Sequence, residues 1–472
     1  MFYLKKEVPL VMKLVIYINF YLIFLVTTLA CSDSVTNSNS DGTPLPTQPV
    51  VVLTDQELMT QVQKDAFKYF WDLAHPNSKL ARERYHVDNP AFDQEIVTTG
   101  GSAFGLMTII VGIERGFVSR TEAVTRLQTA LNFLENADRF HGAWPHWMNG
   151  NTGDVIPFGA NDNGGDLVET AFLCQSLITL REYFKNGNSA EQALAQKADD
   201  LWKGVEWDWY TKGENALYWH WSPSNGWQMN HKIQGYNECL ITYVMAAASP
   251  THPIQSEAYH ETWARNGNIV HAGSQYGIPV ILNHDGASGT VGPMFWAHYS
   301  HLGLDPRGLT DQYANYWDLN KNHTQIIYQH SIANPNNFNG YSDKCWGLTA
   351  SYTRNADGTT GYTAHQPNND KGVITPTAAL SSFPYTPAES MKFLRYLYEE
   401  KRNVYVGLAG PYDAFSPHHN WVTQRYLAID QGTIAPMIEN HRTGLLWNLF
   451  MQAPEVRTGL QNLGFASSQH GF

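Results

Sequence analysis

The chain has 472 residues, of which 43% are hydrophobic, 13% aromatic and 16% charged, and its formal net charge is −12. A chain of this composition can bury a large core, and its acidic balance argues against nucleic acid or an anionic membrane surface as partner. Fifteen Trp and 25 Tyr instead suit a neutral ligand with flat, weakly polar faces, and sugars fit that description.

Residues 1–31 have the pattern of an export signal. Two lysines precede an apolar run at residues 14–30, and Cys31 follows it. This arrangement predicts a lipoprotein-type signal peptide with lipidation at Cys31, and an ordinary cleaved signal or a single anchor helix is the alternative. We expect an exported protein, periplasmic or anchored in the outer membrane, that touches a membrane only through its lipid. Residues 32–53, rich in Ser, Asn, Thr and Pro, would form a flexible tether.

Two kinds of helix signal alternate along residues 54–472, which no linker divides, so we expect one domain. Amphipathic helices with capping boxes begin at Thr54 and Ser119, and a third begins at Asn188 or Ser189. Other amphipathic helices are predicted at residues 256–265, 308–320 and 386–400. Six apolar segments predict buried helices: residues 103–113, a stretch that begins at 163, residues 239–248, 294–302, a short stretch that begins at 342, and 434–450. Residues 373–383 do not fit this count.

Six buried helices in alternation with six amphipathic ones, and almost no strand signal, predict an all-α fold. The expected architecture is an (α/α)6 barrel, with an inner ring of six helices inside an outer ring of six and long aromatic loops between them. A solenoid of stacked helix pairs is the alternative, but no sequence repeat is visible. In the barrel, the starts of the buried helices would gather in one pocket.

Residues 161–173 combine a glycine pair with three carboxylates at the start of a predicted buried helix. Asp166 and Glu169 are three residues apart, and Asp162 lies on the loop before them. Carboxylates this close cannot all ionise freely, so at least one pKa should rise. Helix capping is the alternative explanation, since acids favour first helical turns. Capping accounts for one or two of these acids better than for all three.

Glu238 is a fourth candidate acid, at the start of the next buried helix. An apolar run follows it, so desolvation should raise its pKa and favour a proton-donor role, and an ordinary first-turn Glu is the alternative. Glycoside hydrolysis needs one protonated and one ionised carboxyl group beside the scissile bond. The candidate catalytic residues are therefore Glu238, Asp166, Asp162 and Glu169.

Trp-rich loops lie at residues 141–147, 207–210 and 218–227. We expect some of these indoles to stack on pyranose rings and the rest to cover the core, and residues 218–221 alternatively form one strand of a small hairpin. The candidate substrate-binding residues, from these loops and from other predicted helix starts, are Trp144, His146, Trp219, Trp221, Asn237, Trp296, Asp343, Trp346, Asp430 and Glu439.

No metal, cofactor or disulfide framework is predicted. Apart from Cys31, the chain has Cys174, Cys239 and Cys345, an odd number whose spacing matches no zinc motif. The histidines are scattered, and no phosphate-binding loop or nucleophilic serine motif occurs.

Three segments resemble a known family: residues 163–173, residues 235–238, and residues 429–432 together with 438–445. They are similar to the glucoamylase-like family that contains bacterial endo-β-1,2-glucanases, glycoside hydrolase family 144, and the similarity covers nearly all of residues 55–465. The resemblance implies an (α/α)6 barrel, no metal, a periplasmic setting, and cleavage of linear β-1,2-glucan with inversion at the anomeric carbon. It also places all four candidate acids on the family's acidic site positions, with Glu238 as the acid.

The leading interpretation is a monomeric enzyme that hydrolyses a neutral β-1,2-glucan with inversion at the anomeric carbon. Release of sophorose from chain ends is one alternative, and residues 329–343 or 358–370 could close one end of a cleft for that purpose. A non-catalytic glycan-binding lipoprotein is another alternative, but it would have little use for four carboxylates at two helix starts. A phosphorylase would need a basic phosphate pocket, which the sequence does not show.

Overall fold

The computed structural model describes residues 53–472, which form a single unit from Leu53 to Phe472. The predicted signal peptide and most of the predicted tether lie outside the described residues. The described part is mostly helical, with 44% helix and little sheet. Within it, no helix combines the length and the apolar character that crossing a bilayer requires.

Helices of very different length make up the fold. The α-helices are α1 (Asp55–Trp71), α2 (Thr99–Glu114), α3 (Arg120–Asn136), α4 (Leu167–Phe184), α5 (Ser189–Lys203), α6 (Leu240–Ala248), α7 (Tyr316–Ala333), α8 (Pro376–Leu380), α9 (Pro387–Arg395), α10 (Arg402–Tyr405), α11 (Ala428–Thr443), α12 (Leu445–Met451) and α13 (Pro454–Asn462). Short 3₁₀ turns are Trp209–Thr211, Arg265–Gly267, Met294–Ala297 and Pro367–Asn369, and π-helical turns are Ala258–Trp263 and Tyr396–Glu400.

Capping boxes begin three of the long helices. Thr54 with Glu57 caps α1, Ser119 with Glu122 caps α3, and Asn188 with its partner three residues on caps α5. In each pair the side chains satisfy backbone N–H groups that the first turn leaves without helical partners. The predicted starts of these helices are confirmed.

Half-buried and fully buried helical segments alternate along the chain. The half-buried segments are α1, α3, α5, Ala258–Trp263, α7 and α9, and each is followed by a buried one. The buried segments are α2, α4, α6, Met294–Ala297, α8 and α11. A segment that is apolar nearly all round has no face for solvent, so packing on both sides is its stable environment. The predicted alternation is therefore present, although two of its members differ from the prediction.

Two predicted buried helices are corrected by the structure. Residues 342–346 form a turn closed by Ser342 and Cys345, not a helix, and Gly347 follows with φ +128. The buried helix of this region is α8, in the segment that did not fit the count, where Pro376 occupies the first turn. The predicted helix at 294–302 is only the 3₁₀ turn Met294–Ala297.

Two helix boundaries also differ. The helix predicted at 308–320 begins at Tyr316, because Asn315 caps it, and it continues to Ala333. The last buried helix, predicted over 434–450, starts at Ala428 and stops where Gly444 adopts φ +72, the left-handed conformation that glycine tolerates. The remaining residues continue separately as α12.

Within residues 53–472, seventeen strands of two to five residues form eight small sheets. They are β1 (Arg84–His86), β2 (Ile96–Thr98), β3 (Trp147–Asn149), β4 (Val155–Ile156), β5 (Gly165–Asp166), β6 (His220–Trp221), β7 (Ser274–Gln275), β8 (Ile278–Pro279), β9 (Leu309–Thr310), β10 (Ala350–Arg354), β11 (Thr360–Ala364), β12 (Val406–Gly407), β13 (Gly410–Pro411), β14 (Phe415–Ser416), β15 (Trp421–Val422), β16 (Arg425–Leu427) and β17 (Ala466–Ser467). All pairings between them are antiparallel.

Three of these strands lead directly into buried helices. β2 precedes α2, β5 precedes α4 and β16 precedes α11. Each of the three is held by a partner strand from another loop: β3, β6 and β1 respectively. The pairings fix the path by which the chain enters each helix, and residues at all three entries line one cavity.

Candidate active site

A cavity of about 620 Å³ lies at the starts of α2, α4 and α11. Its volume is in the range of small-molecule sites. Side chains from these starts, from Glu238 and from surrounding loops line it: Glu83, Arg84, His86, Phe92, Thr98, His146, Trp147, Phe158, Val168, Glu169, Phe172, Trp219, Glu238, Phe295, Tyr299, Tyr352, Thr360, Gly361, Tyr362, Arg425, Leu427 and Ile429. The wall is mostly apolar and aromatic, with a few carboxylates and cations.

Glu238 faces this cavity from the residues just before α6. Burial, helped by the negative charges of Asp285 and Asp166 and opposed by hydrogen bonds, raises its pKa to about 7. A carboxyl group with such a pKa is partly protonated near neutral pH and can donate a proton. The structure agrees with the expected position of Glu238 and with the expected direction of its pKa shift.

Asp166 is both a helix cap and a hydrogen-bond centre. Its Oδ1 accepts from the backbone N–H groups of Val168 (3.0 Å) and Glu169 (2.9 Å), which is the capping role. Its Oδ2 accepts from the indole Nε1 of Trp219 at 3.1 Å and lies 3.1 Å from Nδ1 of His146. The side chain of Asp166 is fully buried behind these two rings, so it orients groups of the cavity wall without lining the cavity itself.

His146 carries a positive charge over a wide pH range. Burial alone would lower its pKa, but the carboxylates of Glu169 and Asp166 outweigh burial and raise the pKa to about 10. The resulting imidazolium lies on the cavity wall and stacks on Phe158, with ring centroids 4.0 Å apart. It counterbalances the negative charge of the neighbouring acids.

Glu169 and Asp162 are the other two acids of the cluster. Oε2 of Glu169 accepts from the backbone N–H of Gly100 at 2.5 Å, which ties the start of α4 to the start of α2. Burial raises the pKa of both carboxyl groups, and repulsion by Asp166 adds to the rise. Only Glu169 lines the cavity, since Asp162 lies behind it with its Oδ1 3.6 Å from Nε2 of the buried His220.

Three of these groups could in principle hold a metal ion. His146, Asp162 and Asp166 each offer one ligand atom, and these atoms lie within 4.8 Å of one another. A metal-ligating imidazole must be neutral, however, whereas the raised pKa of His146 favours the protonated ring. The arrangement therefore fits an imidazolium between carboxylates better than a metal centre.

Aromatic rings at the cavity mouth are unusually exposed. Phe92, Phe158 and Tyr362 are 41%, 49% and 59% exposed, and they come from two loops and from strand β11. Trp147 packs edge-on against Phe158 at 4.9 Å. Exposed rings of this kind offer flat faces to a ligand with C–H surfaces.

The cavity also contains cationic and carboxylate side chains that sequence reasoning missed. Arg84 and His86 on β1, and Arg425 on the paired strand β16, line it together with Glu83. None of these four residues was among the predicted site residues. These residues could not be recognised from the sequence, because antiparallel pairing joins two distant segments in which they have no distinctive spacing. β1 has only three residues, so its alternation of cavity-facing and buried positions is too short to be recognised in the sequence.

Half of the predicted substrate-binding set lies away from the cavity. Trp144 and Trp346 are fully buried, and their indole N–H groups donate to the backbone carbonyls of Leu134 (2.9 Å) and Glu389 (3.3 Å). Trp296 is buried against Gly292. These three indoles belong to the core, which corrects their predicted role.

Two predicted acids are also elsewhere. Asp343 is exposed and lies 3.1 Å from Nζ of Lys392 on α9. Glu439 lies near the far end of α11, where the guanidinium of Arg115 donates to both of its carboxylate oxygens at 2.6 Å. That ion pair borders a separate hollow between the ends of α2 and α11.

Trp221, Asn237 and Asp430 lie near the cavity but do not line it. Trp221 packs edge-on against Trp209, and Oδ1 of Asn237 accepts a hydrogen bond from the backbone N–H of Cys239 at 2.9 Å. Asp430 is buried, and burial together with the adjacent carboxylate of Asp413 raises its pKa well above the ordinary value. Of the predicted binding residues, His146 and Trp219 line the cavity.

A family profile described as "Putative glucoamylase" matches residues 230–454. The segment includes Glu238 and the whole of α11.

Individual relatives match far more of the chain. An endo-β-1,2-glucanase from Chitinophaga pinensis, solved with sophorotriose and glucose, is 54% identical with a TM-score of 0.85, over 88% of this chain and 99% of that one. A β-1,2-glucanase structure from Parabacteroides distasonis is 41% identical with a TM-score of 0.81, over 88% of this chain and 60% of that one.

A curated relative from Parabacteroides distasonis is an exo β-1,2-glucooligosaccharide sophorohydrolase that acts at the non-reducing end. It is 42% identical over an alignment of 435 positions, which covers 87% of this chain. The matched part spans 58% of that relative's own length.

Proposed function

Because the chain belongs to the glucoamylase-like family of β-1,2-glucan-degrading enzymes, glycoside hydrolase family 144, we propose that it hydrolyses β-1,2-glucan. One observation carries the proposal: Glu238, with a pKa of about 7, and Glu169 line the same sugar-sized cavity. A protonated and an ionisable carboxyl group in one aromatic-walled cavity are the chemical requirement of glycoside hydrolysis.

In this proposal Glu238 is the general acid. It donates its proton to the glycosidic oxygen as the bond to the anomeric carbon breaks, so that the departing sugar leaves as a neutral alcohol. Burial raises the pKa of Glu238 to about 7, so that a substantial fraction of the carboxyl groups holds the proton at neutral pH. A water molecule then attacks the anomeric carbon from the opposite face, and the configuration inverts.

The base that accepts the proton of this water belongs to the cluster of Asp162, Asp166 and Glu169. Asp166 is poorly suited, because four donors already occupy its oxygens and its side chain is fully buried. Glu169 is the member that lines the cavity. We therefore assign the base to Glu169, whose ionised form the neighbouring imidazolium of His146 favours against burial and the charge of Asp166, and assign orientation of the cluster to Asp166.

The rings at the cavity mouth would bind the glucose units on either side of the scissile bond. Trp219, Phe158 and Tyr362 present aromatic faces, and Arg84 and Arg425 can donate hydrogen bonds to hydroxyl groups. A protein that only captured glycans would gain nothing from carboxyl groups with raised pKa values. The acid cluster therefore favours hydrolysis over the non-catalytic alternative.

The test is incubation of the purified protein with linear β-1,2-glucan, cellulose, laminarin and starch, followed by sizing of the products. We expect products from β-1,2-glucan alone, and ¹H NMR of the first products should show the α-anomer. Unchanged β-1,2-glucan would overturn the proposal. A ladder of oligosaccharides would show internal cleavage, whereas sophorose alone would show release from chain ends, which the hairpin β10–β11 at the cavity wall could favour.

We further propose that the six buried segments form the inner ring of an (α/α)6 barrel and the six half-buried ones its outer ring. The strict alternation of the two kinds supports this arrangement. Export and lipidation at Cys31 stay proposals as well, supported by the sequence of residues 1–31. Cys31→Ser should prevent incorporation of labelled palmitate into the expressed protein.

A further inference from the structure

A second aromatic hollow, of about 300 Å³, lies outside the catalytic cavity. Five residues line it: Asp208, Trp209, Lys212, Gly213 and Trp227. None of them lines the catalytic cavity. Its volume is at the lower end of the range for small-molecule sites.

The two indoles form a supported platform. One face of Trp209 is covered by His141, whose ring centroid is 3.6 Å away and nearly parallel, and Trp209 is nevertheless 39% exposed. Trp227 packs on the buried rings of Tyr210 and Tyr218, 6.1 and 5.7 Å away, and stacks on Trp209 at 29° with ring centroids 6.3 Å apart. Neighbouring rings thus hold both indoles in place, so a ligand would not need to order them.

The polar groups around the platform suit a neutral ligand with hydroxyl groups. Asp208 provides a carboxylate, whose Oδ1 lies 3.1 Å from Nδ1 of His252, and Lys212 provides an ammonium, which donates to Oδ1 of Asn230 at 3.1 Å. The charges of these two lining residues balance. A Cβ at Gly213 would meet nothing within 4 Å, so the hollow is open on that side.

The platform is connected to the catalytic acids through Trp221. The Trp221 ring packs edge-on against Trp209 at 5.6 Å, and its strand β6 pairs with β5, where Gly165 lies opposite Trp221 and Asp166 opposite His220. Trp219, one residue before β6, lines the catalytic cavity. A single short segment therefore contributes rings to both places.

We propose that the hollow bordered by Trp209 and Trp227 is an accessory binding site for a pyranose of the same β-glucan chain. It rests on the proposed function, in that the ligand is the enzyme's own polymer. Two indoles held in place beside a carboxylate and an ammonium suit a neutral sugar ring, whereas one of the two charges would repel an ionic ligand. Such a site would hold a long chain on the protein between cleavage events and would leave short oligosaccharides unaffected.

The test compares Trp209→Ala/Trp227→Ala with Tyr276→Ala, which removes an exposed ring elsewhere (42% exposed). In native gels cast with linear β-1,2-glucan, we expect the double variant to lose about tenfold in apparent affinity, since each ring contributes a modest stacking energy. Its kcat/KM on polymer should fall, while its kcat/KM on the shortest cleaved oligosaccharide and the behaviour of Tyr276→Ala should match the wild type. Trp209→Phe, which preserves packing on His141, should give an intermediate loss.

Unchanged retardation and unchanged polymer kinetics in the double variant would overturn the inference while leaving the proposed function intact. Equal losses on polymer and on short substrate would overturn it as well, because they would show damage to the catalytic cavity. If the double variant proves unstable by its Tm, Trp209→Phe decides between the same outcomes. If the wild type cleaves no β-1,2-glucan, the proposed function fails, and absence of retardation in gels cast with that glucan then refutes the accessory site as well.

Discussion

The indole Nε1 of Trp219 donates to Oδ2 of Asp166 at 3.1 Å, the same oxygen that faces Nδ1 of His146. The opposite oxygen of Asp166 caps α4. One carboxylate therefore fixes the start of a buried helix and two rings of the cavity wall at once.

Asp166→Asn separates these two roles. Asparagine caps helices as well as aspartate does, so the free energy of unfolding should change little, whereas Asp166→Ala should cost about 1 kcal/mol. Activity should fall about 10²-fold or more in Asp166→Asn, because the substitution removes the negative charge that orients His146 and keeps it protonated. The checks are kcat, chemical denaturation and NMR titration of His146, whose pKa should fall. An unchanged His146 titration would show that Asp166 only caps the helix.

Glu238→Gln removes the proposed proton donor while conserving shape. We expect kcat to fall by about 10²–10⁴-fold, the typical contribution of general acid catalysis, with oligosaccharide affinity retained. Kinetics together with isothermal titration calorimetry measure the two effects. Turnover near that of the wild type would refute the assignment of the acid.

The pH dependence of kcat/KM follows from the same group. Glu238 must be protonated to act, so activity should decline as the pH rises above about 7, the pKa that burial gives it. Initial rates between pH 5 and 9 on a short oligosaccharide, at roughly constant ionic strength, measure this limb. A flat profile across that range would contradict the role of Glu238.

Stability should depend on pH through Glu238 as well. Its pKa in the folded protein, about 7, exceeds the ordinary value of 4.5, so the folded state binds this proton more tightly than the unfolded state. The resulting stabilisation is complete below the unfolded pKa and is lost as the pH rises through the folded one. Glu238→Gln should therefore raise the Tm, relative to the wild type, more at high pH than at low pH. Calorimetry at one pH below 4.5 and one pH above about 7 tests the sign of this difference in Tm.

Glu439→Gln should affect stability and not catalysis. The substitution breaks the two-pronged contact with Arg115 near the far end of α11 and should cost about 2–4 kcal/mol, since it leaves a largely buried guanidinium without its partner. Denaturation and kcat/KM of the folded variant provide the comparison. A selective loss of activity would restore Glu439 as a site residue.

The sequence allowed prediction of those parts of the site that depend on local signals. The capping boxes, the apolar runs of α2 and α4 and the acid cluster at residues 162–169 are all encoded within a few neighbouring residues, and the structure has them where they were expected. The burial of Trp144 and Trp346 could not be predicted, because a Trp in a loop has the same local sequence whether it covers the core or faces a ligand. Only the tertiary structure distinguishes the two.

The contributions of Arg84 and Arg425 were missed for a different reason. They meet because β1 pairs with β16, and no local pattern relates two three-residue strands so far apart in the chain. Likewise, α8 is too short for its periodicity to be read with confidence against the surrounding turns.

The pairing of β1 with β16 has a consequence for synthesis of the protein. The wall combines residues made early with residues made near the end of translation, since Arg84 lies opposite Leu427. A nascent chain therefore lacks a complete catalytic pocket until the ribosome has released the α11 segment. Premature termination at any codon before β16 should yield polypeptides that degrade no polysaccharide, however well their earlier helices have formed.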